Sequence, residues 1–253
     1  MDRGLYSATS GGLLQFKKLE VVANNVANVN TPGFKKQVLV SKAQSFEDTL
    51  ASAVVKNDPY AKGDHARTPG TTQISTETDF SLGSIKNTGN PLDVALQNPK
   101  DFFVVNTPNG VQYTRAGNFT MDSEGNLLTA DGATVQGDGG QITANGPGVN
   151  ISPGGIVTAN NIEVGRLQVV RFNDPKDLER VGDTRFKIKE GGSAPIPVEA
   201  ELIPQSIEMS NVSVISGMID MISANRAFDM YTKSSQSIDQ LNQAAIGQVG
   251  RAR

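Results

Sequence analysis

The sequence predicts an α+β protein in which a long helix at each end flanks a central, mainly antiparallel β region. Apolar and small residues recur every three or four positions in residues 4–29 and again after Pro204, which is typical of amphipathic helices. Between them, short alternating stretches are separated by glycine and asparagine turns, which is typical of antiparallel strands. We therefore expect the helices to pair as an α-helical, coiled-coil domain.

Composition excludes several classes of function. The chain has 253 residues, a net charge of -3, one histidine and no cysteine. No positive field favours nucleic acid, and every metal site that needs thiolate ligands is excluded. No apolar window is long enough to insert into a lipid membrane. The sequence therefore predicts no cofactor, no metal ion and no catalytic residue.

The N-terminal helix is predicted from its apolar stripe. It ends at Thr31-Pro32-Gly33, because proline cannot continue a helix and glycine readily adopts positive φ. Gly11 and Gly12 would let another backbone approach closely. The stripe consists of Leu5, Ala8, Gly12, Phe16, Leu19, Ala23 and Val26, and the asparagines before the exit, which we expect to satisfy backbone groups, include Asn24, Asn25 and Asn28.

Residues 36–76 are predicted to be a linker, because Asp58-Pro59 and Thr68-Pro69-Gly70 are turn chemistry. His65 falls here among polar neighbours and is interpreted as a solvated loop residue.

Residues 77–204 are predicted to form the β domain, with its strongest strand at 164–172. Asp122 and Glu124 are the only pair that suggests a carboxylate hydrolase, but they stand in a predicted turn, where solvated acids are usual. Asp131 and Asp138 stand next to glycines, as in a calcium loop, but they lack the alternating oxygen ligands that such a loop needs, so they are interpreted as turn residues.

After Pro204 the strand pattern changes to a helical one that runs for more than four heptads. Ser213 is a plausible N-cap, and Gly247 and Gly250 are predicted to end the helix. The helical stripe consists of Val214, Gly217, Met221, Ala224, Phe228, Tyr231, Ser235, Ile238, Asn242 and Ala245. Neither terminal helix is expected to be secure alone, because ordering the backbone costs roughly 1–2 kcal/mol per residue.

The stretch Ala23–Lys35 resembles the signature of the flagellar rod, hook and hook-associated family. Further stretches resemble the family's later motifs in the expected order. They are Pro91–Leu96, Phe102–Val105, Tyr113–Phe119, Gly125–Thr129 and Ser210–Ser213. Among the branches of the family, the opening Met1–Tyr6 and residues 90–96 are most similar to proximal-rod members, with distal-rod members as the alternative.

The resemblance implies a structural subunit of the flagellar basal-body rod, which crosses the periplasm and transmits torque. Its partners would be copies of itself, other rod proteins and the flagellar type III export apparatus, with no cleaved signal peptide. Residues 1–35 and 205–253 would form the helical assembly domain and 77–204 the outer domain. The assembly residues would be those of the N-terminal stripe and motif (Leu5, Gly12, Phe16, Leu19, Ala23, Asn24, Asn25, Val26, Asn28, Pro32, Gly33 and Phe34) and of the C-terminal region (Asn211, Val214, Met221, Phe228, Tyr231 and Ile238).

Two other classes stay open on the residues alone, namely a carboxylate hydrolase and an extracytoplasmic, glycan-binding β module. The second explains the centre of the chain but gives the two helical ends no purpose.

Overall fold

The computed structural model describes residues 3–43, 72–144, 146 and 148–251. His65 and most of the predicted linker lie outside these residues. Within these residues, the α-helices are α1 (Arg3–Ala27) and α2 (Val214–Arg251), and one turn of 3-10 helix spans Pro175–Asp177. The strands are β1 (Gln37–Ala43), β2 (Thr72–Thr78), β3 (Ile85–Asn87), β4 (Val94–Leu96), β5 (Asp101–Thr107), β6 (Gly110–Thr114), β7 (Phe119–Met121), β8 (Leu127–Thr129), β9 (Thr134–Gly137), β10 (Gly140–Gln141), β11 (Asn150–Ile151), β12 (Ile156–Ala159), β13 (Ile162–Arg166), β14 (Val169–Arg171), β15 (Leu178–Val181), β16 (Arg185–Ile188), β17 (Ile196–Val198), β18 (Leu202–Pro204) and β19 (Ser206–Glu208).

The chain divides into two compact units. The helical unit contains the described parts of residues 1–24, 37–77 and 214–253, and the β unit contains those of 25–36 and 78–213. The predicted α+β class, with terminal helices and a central antiparallel β region, is confirmed. Coiled-coil pairing of the helices stays a prediction, and so does the division into an assembly domain and an outer domain.

Strand β5 is the centre of the β unit because it is buried on both faces. It pairs antiparallel with β6, β9 and β14. Since side chains alternate along a strand, Phe103 and Val105 enter the larger core and Phe102 and Val104 the smaller one. In the smaller core, the Phe102 ring makes edge contacts with Phe172 and Phe186 at centroid distances of 5.5 and 5.9 Å.

Two short strands near the end of the β unit pair with two near its beginning. In β18, Leu202 lies opposite Leu96 of β4, and in β19, Glu208 lies opposite Ile85 of β3. The β unit is therefore completed by strands that lie shortly before α2 in the sequence.

Two sequence predictions about element bounds are wrong. The predicted strand at 164–172 is two strands, because β13 pairs with β12 whereas β14 pairs with β5 and β17. Alternation in the sequence cannot show such a change of partner. Helix α2 also continues through Gly247 and Gly250 to Arg251, since a glycine costs a helix only about 1 kcal/mol relative to alanine.

Within the described residues, neither helix has the length and apolar character needed to cross a membrane.

Candidate assembly site

Helices α1 and α2 contact each other through aromatic side chains and glycines. The rings of Phe16 and Phe228 are 6.1 Å apart, and the Tyr231 ring covers Gly11. A Cβ atom at Gly11 would lie 2.5 Å from this ring, so the position has no room for a side chain. The two helices run antiparallel here, because contact positions rise along α1 as they fall along α2. The two glycines thus make room for a tyrosine ring, whereas the sequence predicted that they would let another backbone approach closely.

A groove of about 380 Å³ lies beside this contact. It is lined by large side chains, including Leu13, Phe16, Phe228 and Tyr231, and by the small residues Ala8 and Gly12. Leu13 is 61% exposed and Phe16 51% exposed, so the described residues leave much of their apolar surface in water. We call this surface the helix groove.

The predicted C-terminal stripe coincides with the less exposed side of α2. Ala224 is buried, whereas Met221, Phe228 and Ile238 are half-buried and Val214 and Tyr231 lie at the edge of exposure. On α1 the agreement is weaker. In the stripe, Ala8 and Gly12 are buried and Leu19 and Val26 are half-buried, but Phe16 and Ala23 are exposed, as is Asn24 beside it. Leu5 lies in the first turn of the helix, and Val21, which the stripe omitted, is buried.

The chain leaves α1 through a turn that is fixed inside the β unit. Gly33 has a φ of 71° and donates its N–H to the backbone oxygen of Glu208 at 2.8 Å. A Cβ atom at this position would lie 2.3 Å from the backbone nitrogen of Ala116. Both the positive φ and the close approach therefore require glycine here. Asn28 accepts from the Thr31 hydroxyl at 3.1 Å, so this asparagine bonds within the subunit.

A buried ion triad holds Lys35, near the end of this turn. Lys35, Arg115 and Glu208 are each fully buried. The Glu208 carboxylate accepts from Lys35 Nζ at 2.5 Å, from Arg115 Nε at 2.8 Å and from Arg115 Nη2 at 2.6 Å. The Gly83 N–H also donates to it, at 2.9 Å. Burial lowers the pKa of the Lys35 ammonium, and the charge of Glu208 opposes this shift.

Other donors of the triad bond to backbone oxygens, since Arg115 Nη1 donates to those of Asn98 and Asp101 and Lys35 Nζ donates to that of Ser81. The triad links three parts of the chain that are far apart in sequence. Such a buried network holds one arrangement of these segments, because any rearrangement would leave a buried charge unpaired.

Asn211 ties the same segments together through its amide. Its Oδ1 accepts from the Lys36 N–H at 2.7 Å, and its Nδ2 donates to the backbone oxygen of Asp79 at 2.9 Å. The Asp79 N–H in turn donates to the Lys36 oxygen at 2.9 Å. We call residues 31–36, 79–83 and 208–211, together with Arg115, the junction cluster.

Phe34 and Arg180 close one side of the junction cluster. Phe34 is fully buried, and the Arg180 guanidinium lies 4.7 Å from its ring centroid and 5.3 Å from that of Phe186. Arg180 Nη2 donates to the backbone oxygen of Lys35. Burial lowers the pKa of Arg180 to about 10.

Seven residues predicted for assembly belong to the β unit, namely Asn25, Val26, Asn28, Pro32, Gly33, Phe34 and Asn211. Gly33 and Phe34 are buried and Asn211 is half-buried, while Pro32 and Asn25 are also half-buried. Sequence reasoning missed Lys35, Arg115, Glu208 and Arg180. The first two fall within the quoted motifs, but their shared partner Glu208 is 173 positions from Lys35, so no local pattern could show the pairing.

The acidic residues that suggested other chemistry have structural partners. Asp122 Oδ1 accepts the N–H groups of Glu124 and Asn126 at 2.9 and 2.8 Å, which stabilises the turn between β7 and β8. Asp131 pairs with Arg185 at 2.9 Å. The described residues contain no group of three or more potential metal ligands.

Three family models match the chain. The one described as flagella basal body rod protein matches residues 5–35, which cover α1 and its exit turn. The flagellar hook protein FlgE/F/G D1 domain matches residues 98–159, and the flagellar basal body rod FlgEFG protein C-terminal region matches 203–248.

Curated relatives match over nearly their full length. The flagellar basal-body rod protein FlgF of Caulobacter vibrioides is 32% identical over 99% of this chain and 99% of its own. FlgG of the same organism is 31% identical over 96% of this chain and 97% of its own. FlgG of Bacillus subtilis is 28% identical over 97% and 98%.

Proposed function

Because the chain belongs to the flagellar basal-body rod protein family, we propose that it polymerises through α1 and α2 as a subunit of the rod. Members of the family are structural proteins of the basal body, and this chain is a structural rod subunit that assembles with other rod components. The observation that carries the proposal is the match of family models to both terminal helices, which keep large apolar side chains exposed.

The contrast between the two units supports assembly through the helices. The β unit has two cores of its own, whereas Ala8, Val21 and Ala224 are the buried apolar residues in the described parts of the helices. Fully burying one large apolar side chain contributes roughly 1.5–3 kcal/mol. Contacts with neighbouring subunits would therefore add a large share of the stability of α1 and α2.

A rod requires a repeated contact between two different surfaces of the subunit. Such a head-to-tail contact does not close on itself and generates a filament. We place this filament in the periplasm, where it would transmit torque through many repeated contacts. Its partners would be copies of this chain and other rod proteins, after export through the flagellar type III apparatus without a cleaved signal peptide.

Within the family, we propose the proximal-rod FlgF type, with the distal-rod FlgG type as the alternative. The identities to FlgF and FlgG of Caulobacter vibrioides, 32% and 31%, do not separate the two types. The proposal therefore depends on the resemblance of residues 1–6 and 90–96 to proximal-rod members. Imaging rods from a strain without this protein separates the two, because a proximal subunit leaves a shorter rod than a distal one.

The test of polymerisation is an aspartate on the less exposed face of α2. We expect Ile238→Asp and Phe228→Asp to abolish incorporation into rods, because each places a carboxylate in an apolar contact. The measurement is the amount of this protein in purified basal bodies, with circular dichroism to check that the β unit stays folded. Ile162→Asp is the matched control, since Ile162 is 69% exposed on β13, and it should assemble normally. Normal rods from both α2 variants would contradict the proposal.

A further inference from the structure

Helix α2 carries a second apolar face that nothing in the described chain covers. Its first two turns hold Ile215, Met218, Ile219 and Ile222, each between 53% and 75% exposed. At about 100° per residue, these four side chains lie roughly opposite the face that contains Ala224, Phe228 and Tyr231. We call this set the outer row.

The outer row is also uncharged. Between Val214 and Asn225 the only charged residue is Asp220, and at about 100° per residue it falls outside the outer row. Farther along α2, positions on the same side become polar, including Arg226 and Lys233. The row is therefore a short, convex apolar patch with a defined end, which is unlike the long stripe that faces α1.

The helix groove has the complementary character. It is concave, and all ten residues that line it are uncharged. Ala8 and Gly12 leave space between the larger side chains of Leu13 and Phe16, so a branched or unbranched apolar side chain can enter. Filling the groove with the outer row would desolvate no charged residue of either surface, and this favours their contact.

We propose that the outer row of one copy docks into the helix groove of a second copy. This inference rests on the proposed polymerisation and specifies its contact. The second copy is the favoured occupant, because both surfaces occur in the same unit at different places, so every subunit can present a row to one neighbour and a groove to another. A twofold contact of row against row would leave the groove empty.

The proposal also fixes a stagger between neighbours. Met218 in the row and Tyr231 in the groove are 13 positions apart on α2, which corresponds to about 20 Å along the helix axis. Copies whose α2 helices run in the same direction would therefore be displaced by about this distance. A displaced, non-closing contact is the kind that extends a filament.

The test uses cysteines, because the native chain has none. The full-length protein carrying both Leu13→Cys and Met218→Cys is assembled into rods and treated with a short bismaleimide cross-linker. We expect a ladder of covalent multimers and a cross-linked peptide that joins positions 13 and 218. Each single variant should give none, and the control pair Met218→Cys and Ile162→Cys should give at least about tenfold less product, since cross-linking requires close approach of the two side chains.

The failures are distinguishable. If rods form but positions 13 and 218 do not cross-link, the docking contact is wrong while polymerisation through the helices stands. Cross-linking of the Met218→Cys single variant to itself would show a twofold contact and would also overturn the inference. If the native chain is absent from rods, both the inference and the proposed function fail. A motility assay confirms that the cysteine variants still assemble.

Discussion

Single residues decide whether the chain can leave α1 in the observed way. Gly33 is required by its backbone conformation, and Lys35, Arg115 and Glu208 hold the segment that follows it. Glu208 matters most of the three, because its single carboxylate pairs with two buried cations. Breaking a buried ion pair is far more costly than breaking an exposed one, since the remaining charge cannot reach water.

We therefore expect Glu208→Gln to lower the free energy of unfolding of the β unit by about 3–5 kcal/mol. The measurement is the urea midpoint followed by circular dichroism. The matched control is Glu179→Gln, because Glu179 pairs with Lys187 at 3.2 Å with both side chains about half exposed. This control should change the stability by less than about 1 kcal/mol.

A companion variant keeps this prediction testable if the single variant does not fold. Glu208→Gln combined with Lys35→Met removes one of the two cations left unpaired, so part of the lost stability should return. Equal losses for the single variant and the Glu179 control would contradict the structural role of the triad.

Asp122 gives the β unit a dependence on pH. Its hydrogen bonds from Asn126 and Glu124 lower the pKa of the carboxyl group below its ordinary value of 3.8. The folded state therefore favours the ionised form, so the stabilisation is present above about pH 4 and is lost as the pH falls through the lowered pKa. We expect Asp122→Asn to be less stable than the native chain at pH 7, with a difference that shrinks towards pH 2.5. Urea midpoints at both pH values check this, and a constant difference would contradict it.

At the scale of elements, the short segments around the helices matter as much as the helices themselves. Residues 31–35 of the exit turn and strand β19 lie in the β unit, and both fall within the expected helical assembly domain of residues 1–35 and 205–253. Through Glu208 and Asn211 they contact each other and residues 79–83. The β unit therefore depends on the segment that follows α1 in the sequence and on the segment that precedes α2.

This dependence predicts which fragment folds. A fragment of residues 28–213 keeps the triad, whereas one of residues 77–204 lacks Lys35 and Glu208 and leaves Arg115 buried without its carboxylate. We expect the longer fragment to show a cooperative urea transition and the shorter one to be destabilised by several kcal/mol. The two transitions measured by circular dichroism under the same conditions decide the matter. Equal stability would mean that the triad does not complete the β unit.

In the whole molecule, the two units differ in how far they bury their apolar side chains. The β unit buries its aromatic rings in its own cores, while the helical unit leaves the helix groove and the outer row exposed. We expect the β unit to be stable alone and the helical unit to be completed by contacts with neighbouring subunits. The family match at both ends of the chain agrees with this division of roles.

Local sequence patterns were sufficient to predict the two helices, the β character of the centre and the family. Each depends on local patterns, namely apolar spacing in α1 and α2, turn residues between short strands, and the motif at Ala23–Lys35. These signals lie within a few residues of one another, so they can be read along the chain. The predicted C-terminal stripe lies on the less exposed side of α2, since helical periodicity alone determines which residues share a face.

Contacts between residues far apart in the sequence could be identified only in the folded chain. The triad joins Lys35 to a carboxylate 173 positions away, and the change of partner between β13 and β14 leaves no mark in their alternation. The outer row on α2 was missed because a helix pattern shows which residues are apolar but not which of two apolar faces a partner helix covers. Pairing across the chain is a property of the folded backbone, and it determines that Gly33, Phe34 and Asn211 serve the junction cluster inside the β unit.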